Sequence, residues 1–526
     1  KAVISSTSLE LGIDIGSIDA VVLVTSPKSV SRALQRIGRS GHKLHEESKG
    51  YIIVMDRDDA IECTVLAKNA LERKFDKVRI PKKPLDVLIQ HLLGIALERK
   101  ANIKDVYKMI KRSYVYKDLT FNEFERALAY LAGYYEGLES KNVYGKIWYE
   151  NNEFGKRGKM TRAIYYMNVG TIPDETYVKV ILRTGKYVGN LEEEFVEKLV
   201  KGDVFVLGGK TYEFLYSRGN KIIVDYALEK RPTIPGWFSE MLPLSYELAL
   251  EIEACRERLA TMEEHEAINY LINEYKLDKK AAKALYGYID EQRTYSIVPD
   301  KHTFLVEEYE DENFRNYIFH AFAGRKANEA LARGFAYILG KKKGLNIKVT
   351  ISDYGFMLSI PRWRRIEKED IEELFSLDSE TFIDSIKKSL EESELLKRRF
   401  RHVAVRGFLI LRRYKNEKSV AKQQLSAESL LRYIKLYYPD FILLEETYNE
   451  CLYDAMHVDE ALDYIKRCST RVIHFAKGLK VPSPFAFNIV ATGGKDIVLM
   501  EERREFIRRM HEKIMEIIKA KKMKTC

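Results

Sequence analysis

Short apolar runs and amphipathic stretches alternate through the first part of the chain. Ala2–Ile4, Ala20–Val24 and Tyr51–Met55 are apolar runs of strand length, while Val30–Ile37 and Ala60–Arg73 carry their apolar residues at helical spacing. Strand-length runs interleaved with helices predict a parallel sheet covered on both faces, an α/β piece. Ile80-Pro81-Lys82-Lys83-Pro84 interrupts the pattern, because two prolines in so short a span stop a helix and mark a linker.

Beyond the linker, Pro84–Arg99, Ile103–Tyr114 and Thr120–Leu131 have helical periodicity, the last opened by Thr120 and Glu123 at capping-box offset. Tyr144–Tyr149 and Met160–Val169 read as strands. Three helices followed by a β-ribbon predict a winged helix. From Gly170 the texture is β-rich: Tyr177–Leu182, Val204–Leu207, Tyr212–Tyr216 and Lys221–Tyr226 are separated by turns at Gly208-Gly209 and Gly219-Asn220. A small β-barrel or curled sheet is the expected arrangement, since curling removes exposed edges. Leu244–Ala260, Glu263–Glu274 and Lys279–Arg293 are strongly helical, a mixed region runs on from Tyr295, and Lys519–Lys524 reads as a solvated tail.

The expected organisation is therefore α/β plus a mostly α part with β. It comprises a partial parallel-sheet domain over 1–80, a winged helix over 81–169 and a large domain over 170–526, β-rich to 235 and helical and mixed from 236. Length agrees: 526 residues are enough for several domains with substantial cores. A net charge of +10 is basic enough to accept a polyanionic partner without demanding one. Five widely spaced cysteines argue against a disulfide scaffold and for a reducing compartment, with the cytoplasm as the default. The longest uncharged apolar stretch, Val87–Leu97, is far short of the ~20 residues of a membrane span. Lys1 runs directly into Ala2-Val3-Ile4, a strand-like opening with no lead-in, which creates the expectation that further residues precede it.

The sharpest chemical signal is Gln35-Arg36-Ile37-Gly38-Arg39-Ser40-Gly41-His42 at a predicted helix end. Its glycines permit a tight backbone path and its arginines project from a short, stiff segment. Guanidiniums held in this way suit phosphoryl transfer, where charge spreads over the γ-phosphate oxygens. Read alone, the segment also fits a basic helix end facing solvent. Upstream, Ser5-Ser6-Thr7-Ser8-Leu9-Glu10-Leu11-Gly12-Ile13-Asp14 places hydroxyls after a predicted strand, at the sheet edge where open α/β folds bind ligands. They fit a nucleic-acid phosphate, with Asp14 available to a ribose hydroxyl, and equally a helix cap.

Together these two segments resemble motifs V and VI of superfamily 2 helicases, and the ending Gly41-His42 resembles the large helicase-related (Lhr) family. Accessory segments extend the resemblance over nearly the whole chain: Thr171-Ile172-Pro173-Asp174, Leu191–Val196, Gly202–Gly208, Tyr438-Pro439-Asp440-Phe441, Glu450-Cys451-Leu452 and Pro482–Ala486. The resemblance implies a second RecA-like motor domain in which Arg39 is the arginine finger, supported by Gln35 and Arg36. Gly12, Asp14 and His42 would face ATP, with His42 standing where many relatives carry arginine. Ser6, Thr7 and Ser8 would hold the tracking strand, and Ile172 and Trp237 would pack on bases. Trp237 lies in the proline-stiffened turn Ile234-Pro235-Gly236-Trp237, where a flat ring is presented at little entropic cost, although a lone tryptophan also fits a core position.

The implied activity is ATP-dependent 3′-to-5′ translocation on single-stranded DNA with unwinding of DNA and RNA:DNA duplexes. The implied cofactor is ATP with Mg2+, the metal held by an N-terminal RecA-like domain outside this sequence. No Gly-x-x-x-x-Gly-Lys-Ser/Thr loop and no Asp-Glu pair after a strand is read, so this chain alone is expected not to hydrolyse ATP. No metal site is expected, since the Cys451/His457 and Cys468/His474 pairs lack common zinc spacings. Two other readings stay open: a nucleic-acid binding or annealing module without motor function, and a superfamily 2 helicase directed to RNA.

Overall fold

The computed structural model describes residues 2–5, 18–41, 47–141, 143–173, 177–197, 199, 201–208, 210–227, 242–311, 314–414, 416–417, 419–493 and 500–525. They divide between two compact units, one drawn from 1–78, 238–386 and 456–526 and the other from 79–237 and 387–455.

In the first unit, β1 (Val21–Val24) pairs in parallel with β2 (Gly50–Ile53), and α1 (Val30–Ile37) forms the crossover, followed by α2 (Arg57–Leu71). Both helices are capped from the sequence: the Ser29 side chain accepts from Arg32 N–H and the Asp56 side chain from Asp59 N–H. The expected strand at Ala2–Ile4 is not formed, and Val3 and Ile4 are exposed. A strand needs a neighbour to complete its ladder, and among the described residues β1 and β2 pair only with each other. Leu23 and Ile52 face the helices, whereas Val22, Val24, Tyr51 and Ile53, in register across the pair, leave the opposite face apolar and exposed.

Apolar faces of α1 and α2 enter one core with the helices Tyr246–Ala260, Glu264–Tyr275 and Lys279–Tyr295, through Val30, Ile61 and Val65 against Leu248, Ile252 and Leu259. A five-stranded sheet completes the unit, ordered Lys348–Ser352, Gly355–Pro361, Phe314–Phe319, Thr303–Glu310 and Val472–Leu479, antiparallel except for the last pair. The sequence's terminal lysine run is not a tail. It ends the helix Met500–Thr525, whose Ile514 and Ile518, four residues apart on one face, are buried with Ile318 and Met357.

The second unit contains the winged helix. Helices Leu85–Glu98, Ile103–Lys111 and Phe121–Ala132 pack on a three-stranded sheet of Ala101–Asn102, Glu153–Lys156 and Ile147–Glu150. Thr120 and Glu123 form the capping box with both reciprocal bonds present. Met160–Val169, expected as a strand, is instead the helix Thr161–Asn168. The wing's second strand is Glu153–Lys156, reached through Asn151 and Asn152, both at positive φ, the pair of conformations a two-residue type I′ hairpin requires.

Barrel or curled sheet resolves as a curled five-stranded sheet in the order Tyr187–Leu191, Val178–Leu182, Lys221–Tyr226, Lys210–Ser217 and Val204–Leu207. A Cβ at Gly189 on one outer strand would lie 3.1 Å from the Leu207 side chain on the other, so the sheet curls without its edge strands pairing. Helices Glu394–Arg406, Val420–Tyr437 and Ile442–Asn449 share a core with the winged helix, where Phe400, Leu430 and Leu443 join Leu88, Leu92 and Leu128.

Candidate functional site

The end of α1 gathers three of the sequence-predicted residues. Asp76 anchors its beginning, accepting from Ser29 Oγ at 2.7 Å, Ser31 N–H at 2.9 Å and Ser245 Oγ at 2.5 Å. Burial alone would raise the Asp76 carboxyl, but these bonds outweigh it and hold the group below the usual carboxylate range. Val30 and Ala33 bury the inner face of α1, leaving Gln35 exposed and Arg36 and Arg39 half-buried at its far end.

The turn after α1 is locked to the backbone beside it. Ser40, 1% exposed, accepts from Lys49 N–H at 2.9 Å and donates from Oγ to Ile37 O at 2.7 Å. Gly41 has φ +72°, and a Cβ there would meet the Glu47 backbone at 2.9 Å, so only glycine fits the crossing. Arg36, in the last turn of α1, and Arg39, in the turn after it, thus stand on backbone whose path is fixed by the helix on one side and by Ser40 and Gly41 on the other. Ser6, Thr7, Ser8, Gly12, Asp14, His42 and Trp237 lie outside the described residues. Ile172, in the second unit after the helix Thr161–Asn168, is 84% exposed.

Sequence reading missed a buried ionic cluster behind α2. Arg256 donates from Nη2 to Asp58 Oδ1 at 2.7 Å, and Asp58 also accepts from Tyr288 Oη at 2.8 Å and Asn488 Nδ2 at 2.6 Å. The guanidinium carbon lies 4.4 Å from the Phe485 ring centroid, 4.9 Å from Tyr354 and 5.1 Å from Phe322. Nearby, Glu62 accepts from Lys28 Nζ at 2.8 Å and from Tyr354 Oη. Burial disfavours the charge on Glu62 and raises its pKa against the pull of Lys28. A signal was present in the sequence: Arg256 continues the Leu248, Ile252 spacing along the buried side of its helix, and Asp58 and Glu62 share one face of α2.

A comparable cluster sits in the second unit. Arg398 and Arg401 donate to the two oxygens of Glu193 at 3.0 and 2.7 Å, and Arg399 reaches Glu197 at 3.4 Å. His402 beside them has its pKa lowered to about 4, first by burial and then by the neighbouring arginines, against the opposing pull of Glu193. Several accessory segments singled out in the sequence are joints of this kind. Ser483 N–H donates to Glu307 at 3.2 Å, Phe485 N–H to Gln292 at 3.0 Å, and Arg406 bridges Asp86 and Glu450. Of the other tryptophans, Trp363 is 81% exposed, while Trp148 packs over Gly155 of the wing.

Against the expectation of no Asp-Glu pair after a strand, Asp311-Glu312 comes directly after the strand Thr303–Glu310 in sequence, with Glu312 outside the described residues. Asp311 is engaged in its hairpin, accepting from Phe314 N–H at 2.8 Å and Asn316 Nδ2 at 2.9 Å. Cys451 and Cys468 are buried, and the described residues contain no group of three or more His, Cys, Asp or Glu side chains able to hold a metal ion. Among the described residues, no helix is long and apolar enough to cross a membrane.

Three families match successive parts of the chain: the helicase conserved C-terminal domain over residues 1–43, the large helicase-related protein winged helix domain over 68–234, and the DEAD/H associated family over 298–486. The chain is 54% identical over 525 residues to the ATP-dependent helicase Lhr-Core protein 2 of Thermococcus barophilus, covering 98% of this chain and 60% of that protein. It is 54% identical over 523 residues to the ATP-dependent helicase Lhr-Core of Methanocaldococcus jannaschii, covering 99% of this chain and 60% of the relative. A solved structure of the Mycobacterium smegmatis helicase Lhr, bound to ssDNA and AMP-PNP, is similar with a TM-score of 0.68 at 26% identity, over 92% of this chain and 57% of that one. The chain thus spans about 60% of the length of these curated relatives. On shared sequence and fold, the chain belongs to the large helicase-related (Lhr) family of superfamily 2 helicases and corresponds to their C-terminal part.

Proposed function

We propose that this chain supplies the γ-phosphate-sensing arginines and the strand-gripping parts of an ATP-dependent helicase that moves 3′-to-5′ along single-stranded DNA and unwinds DNA and RNA:DNA duplexes. The observation that carries the reading is the end of α1, where Arg36 in the last helical turn and Arg39 in the turn that follows precede the backbone crossing locked by Ser40 and Gly41. A fixed guanidinium stabilises the transferring phosphoryl group without reorganising at the moment of reaction. The names of the relatives, and the single strand and nucleotide analogue held by the M. smegmatis protein, support the same reading.

In this reading residues 1–80 belong to the second RecA-like domain, 81–169 to the winged helix and 170–526 to the Lhr-specific part. Arg39 is the finger, with Gln35 and Arg36 beside it, and Gly12, Asp14 and His42 face the nucleotide. Ser6, Thr7, Ser8, Ile172 and Trp237 hold the strand. In the same reading the magnesium of ATP is held by an N-terminal RecA-like domain of the full protein. ATP draws the motor domains together because only their closed arrangement pairs Arg39 with the γ-phosphate, and hydrolysis releases the attraction. The cytoplasm is the proposed location.

The test is Arg39→Ala in the full-length protein. Strand binding persists while kcat for DNA-stimulated ATP hydrolysis falls by about 10³-fold or more, the scale of an arginine finger. Wild-type turnover by this variant rules out the finger.

A further inference from the structure

Within the second unit, the turn Arg218–Asn220 of the curled sheet presses against the helix Val420–Tyr437. Gly219 N–H donates to Glu428 at 3.2 Å, and a Cβ at Gly219 would lie 2.8 Å from Leu425 Cγ. Where they meet is an open groove of about 380 Å³ lined by Arg218, Arg432, Tyr433, Leu436 and Tyr437 together with Glu428. Its helical residues fall at intervals of one to four, so that residues from successive turns share one face.

The lining has a definite chemistry. The Tyr433 and Tyr437 ring centroids are 4.7 Å apart at 42°; Tyr433 is half-buried against the core, whereas Leu436 and Tyr437, 71% and 59% exposed, contribute little to it. Arg218 and Arg432 are exposed, and neither forms an ion pair with a described carboxylate. Glu428, the acid of the groove, is nearly buried and engaged by Gly219 N–H and, at 3.3 Å, by Gln424 Nε2. Two open cations beside adjoining aromatic faces complement a phosphate and the base attached to it.

We propose that this groove is a binding site for an unpaired nucleotide of DNA or RNA, a strand contact separate from the Ile172 and Trp237 segments. A base stacks on Tyr437 while Arg218 and Arg432 take the flanking phosphates. The inference rests on the strand-handling reading and assigns it an additional site.

The experiment is fluorescence anisotropy of the 526-residue chain with labelled oligothymidylate, oligouridylate and a blunt duplex, over a salt series. Tyr437→Ala weakens binding of at least one single strand by about fivefold or more, the low end of a lost stack, while Tyr437→Phe, which keeps the ring face, restores it. Arg218→Ala/Arg432→Ala lowers the magnitude of the log–log salt slope by about 1.4, as loss of two single-strand phosphate contacts requires. Loss on both oligonucleotides supports a site for either sugar, and loss on one alone identifies which. If the parent chain binds and the alanine variants bind single strands equally well, the groove assignment is overturned and a protein partner becomes its occupant. If the parent binds no single strand, both this inference and the strand-handling reading fall. Thermal melts matching the parent establish that a loss of binding is local.

Discussion

Arg256 and Asp58, almost two hundred residues apart in sequence, form an ion pair of 2.7 Å with both side chains almost entirely buried, inside a wall of aromatic rings. The pair fastens α2, which follows the Ser40–Gly41 turn in the chain, to the helix Tyr246–Ala260 in the same unit. A buried pair tolerates replacement of both members by apolar groups better than loss of one, because a lone buried charge has no compensation. Arg256→Ala therefore destabilises the first unit by about 3–5 kcal/mol. Asp58→Ala/Arg256→Met recovers a large part of that loss. Urea unfolding of the two variants distinguishes them, and equal stabilities would falsify the assignment of the cost to an orphaned charge.

His402 gives the second unit an acid-sensitive element. Its folded pKa of about 4 lies below the ordinary histidine value, so the unfolded chain binds the extra proton between the two. The contribution is complete above the ordinary value near 6.5 and is lost as pH falls from there toward 4. At pH 5 the expected loss is about 2 kcal/mol, at roughly 1.4 kcal/mol per pH unit. Paired unfolding curves at pH 7 and pH 5 check this: His402→Gln shows a correspondingly smaller difference between the two.

Ser40 tests whether the turn positions the arginines. Ser40→Ala leaves Lys49 N–H without its side-chain acceptor, at a cost of about 0.5–1.5 kcal/mol for one hydrogen bond near the surface. In the full-length helicase the expected result is lower kcat for ATP with little change in single-strand affinity. Ser40→Thr, which keeps the hydroxyl, recovers more of the rate than alanine does. Full activity in the alanine variant assigns Ser40 to folding alone.

Ile172 offers a clean separation of stability from function. At 84% exposure its removal leaves no cavity, so Ile172→Ala shifts unfolding by no more than about 0.5 kcal/mol. If this side chain packs on a base, unwinding by the full-length protein slows while DNA-stimulated ATP hydrolysis is largely kept. An unchanged unwinding rate removes Ile172 from the strand path.

Burying Lys146 opposes its charge and lowers its pKa to about 8, a change confined to the winged helix. Both folded and unfolded forms are protonated at pH 7, and the burial cost, on the order of 3 kcal/mol for a shift of this size, is carried by the native state. Stability then rises as pH increases from about 8 toward the ordinary lysine value of 10.5. Lys146→Met stabilises the unit at pH 7 and removes that rise, as thermal unfolding across pH 7 to 10 measures.

What could be read from the chain followed the strength of local signals. The α1 and α2 periodicities and the Thr120/Glu123 capping box needed only neighbouring residues to be recognised, and each formed near its expected place. Thr161–Asn168 was misread because its mixture of aromatic and apolar residues fits either period, while the true wing strand, Glu153–Lys156, was hidden by glycine and charge. Tyr187–Leu191 was missed for a similar reason, since Gly189 and Asn190 weaken its strand character. At the site, glycines around arginines announced a shaped turn. The Arg256 and Arg398 clusters did not announce themselves, because charge on a helix ordinarily means solvent, and only the packing of residues remote in sequence reverses that meaning.

Val22, Val24, Tyr51 and Ile53 give the small parallel sheet a greasy flank. In concentrated solution two such flanks adhere, so a preparation of this polypeptide by itself is prone to cluster as its concentration rises, and replacing Val22 and Val24 with threonine, which keeps the strand shape, disperses the clusters.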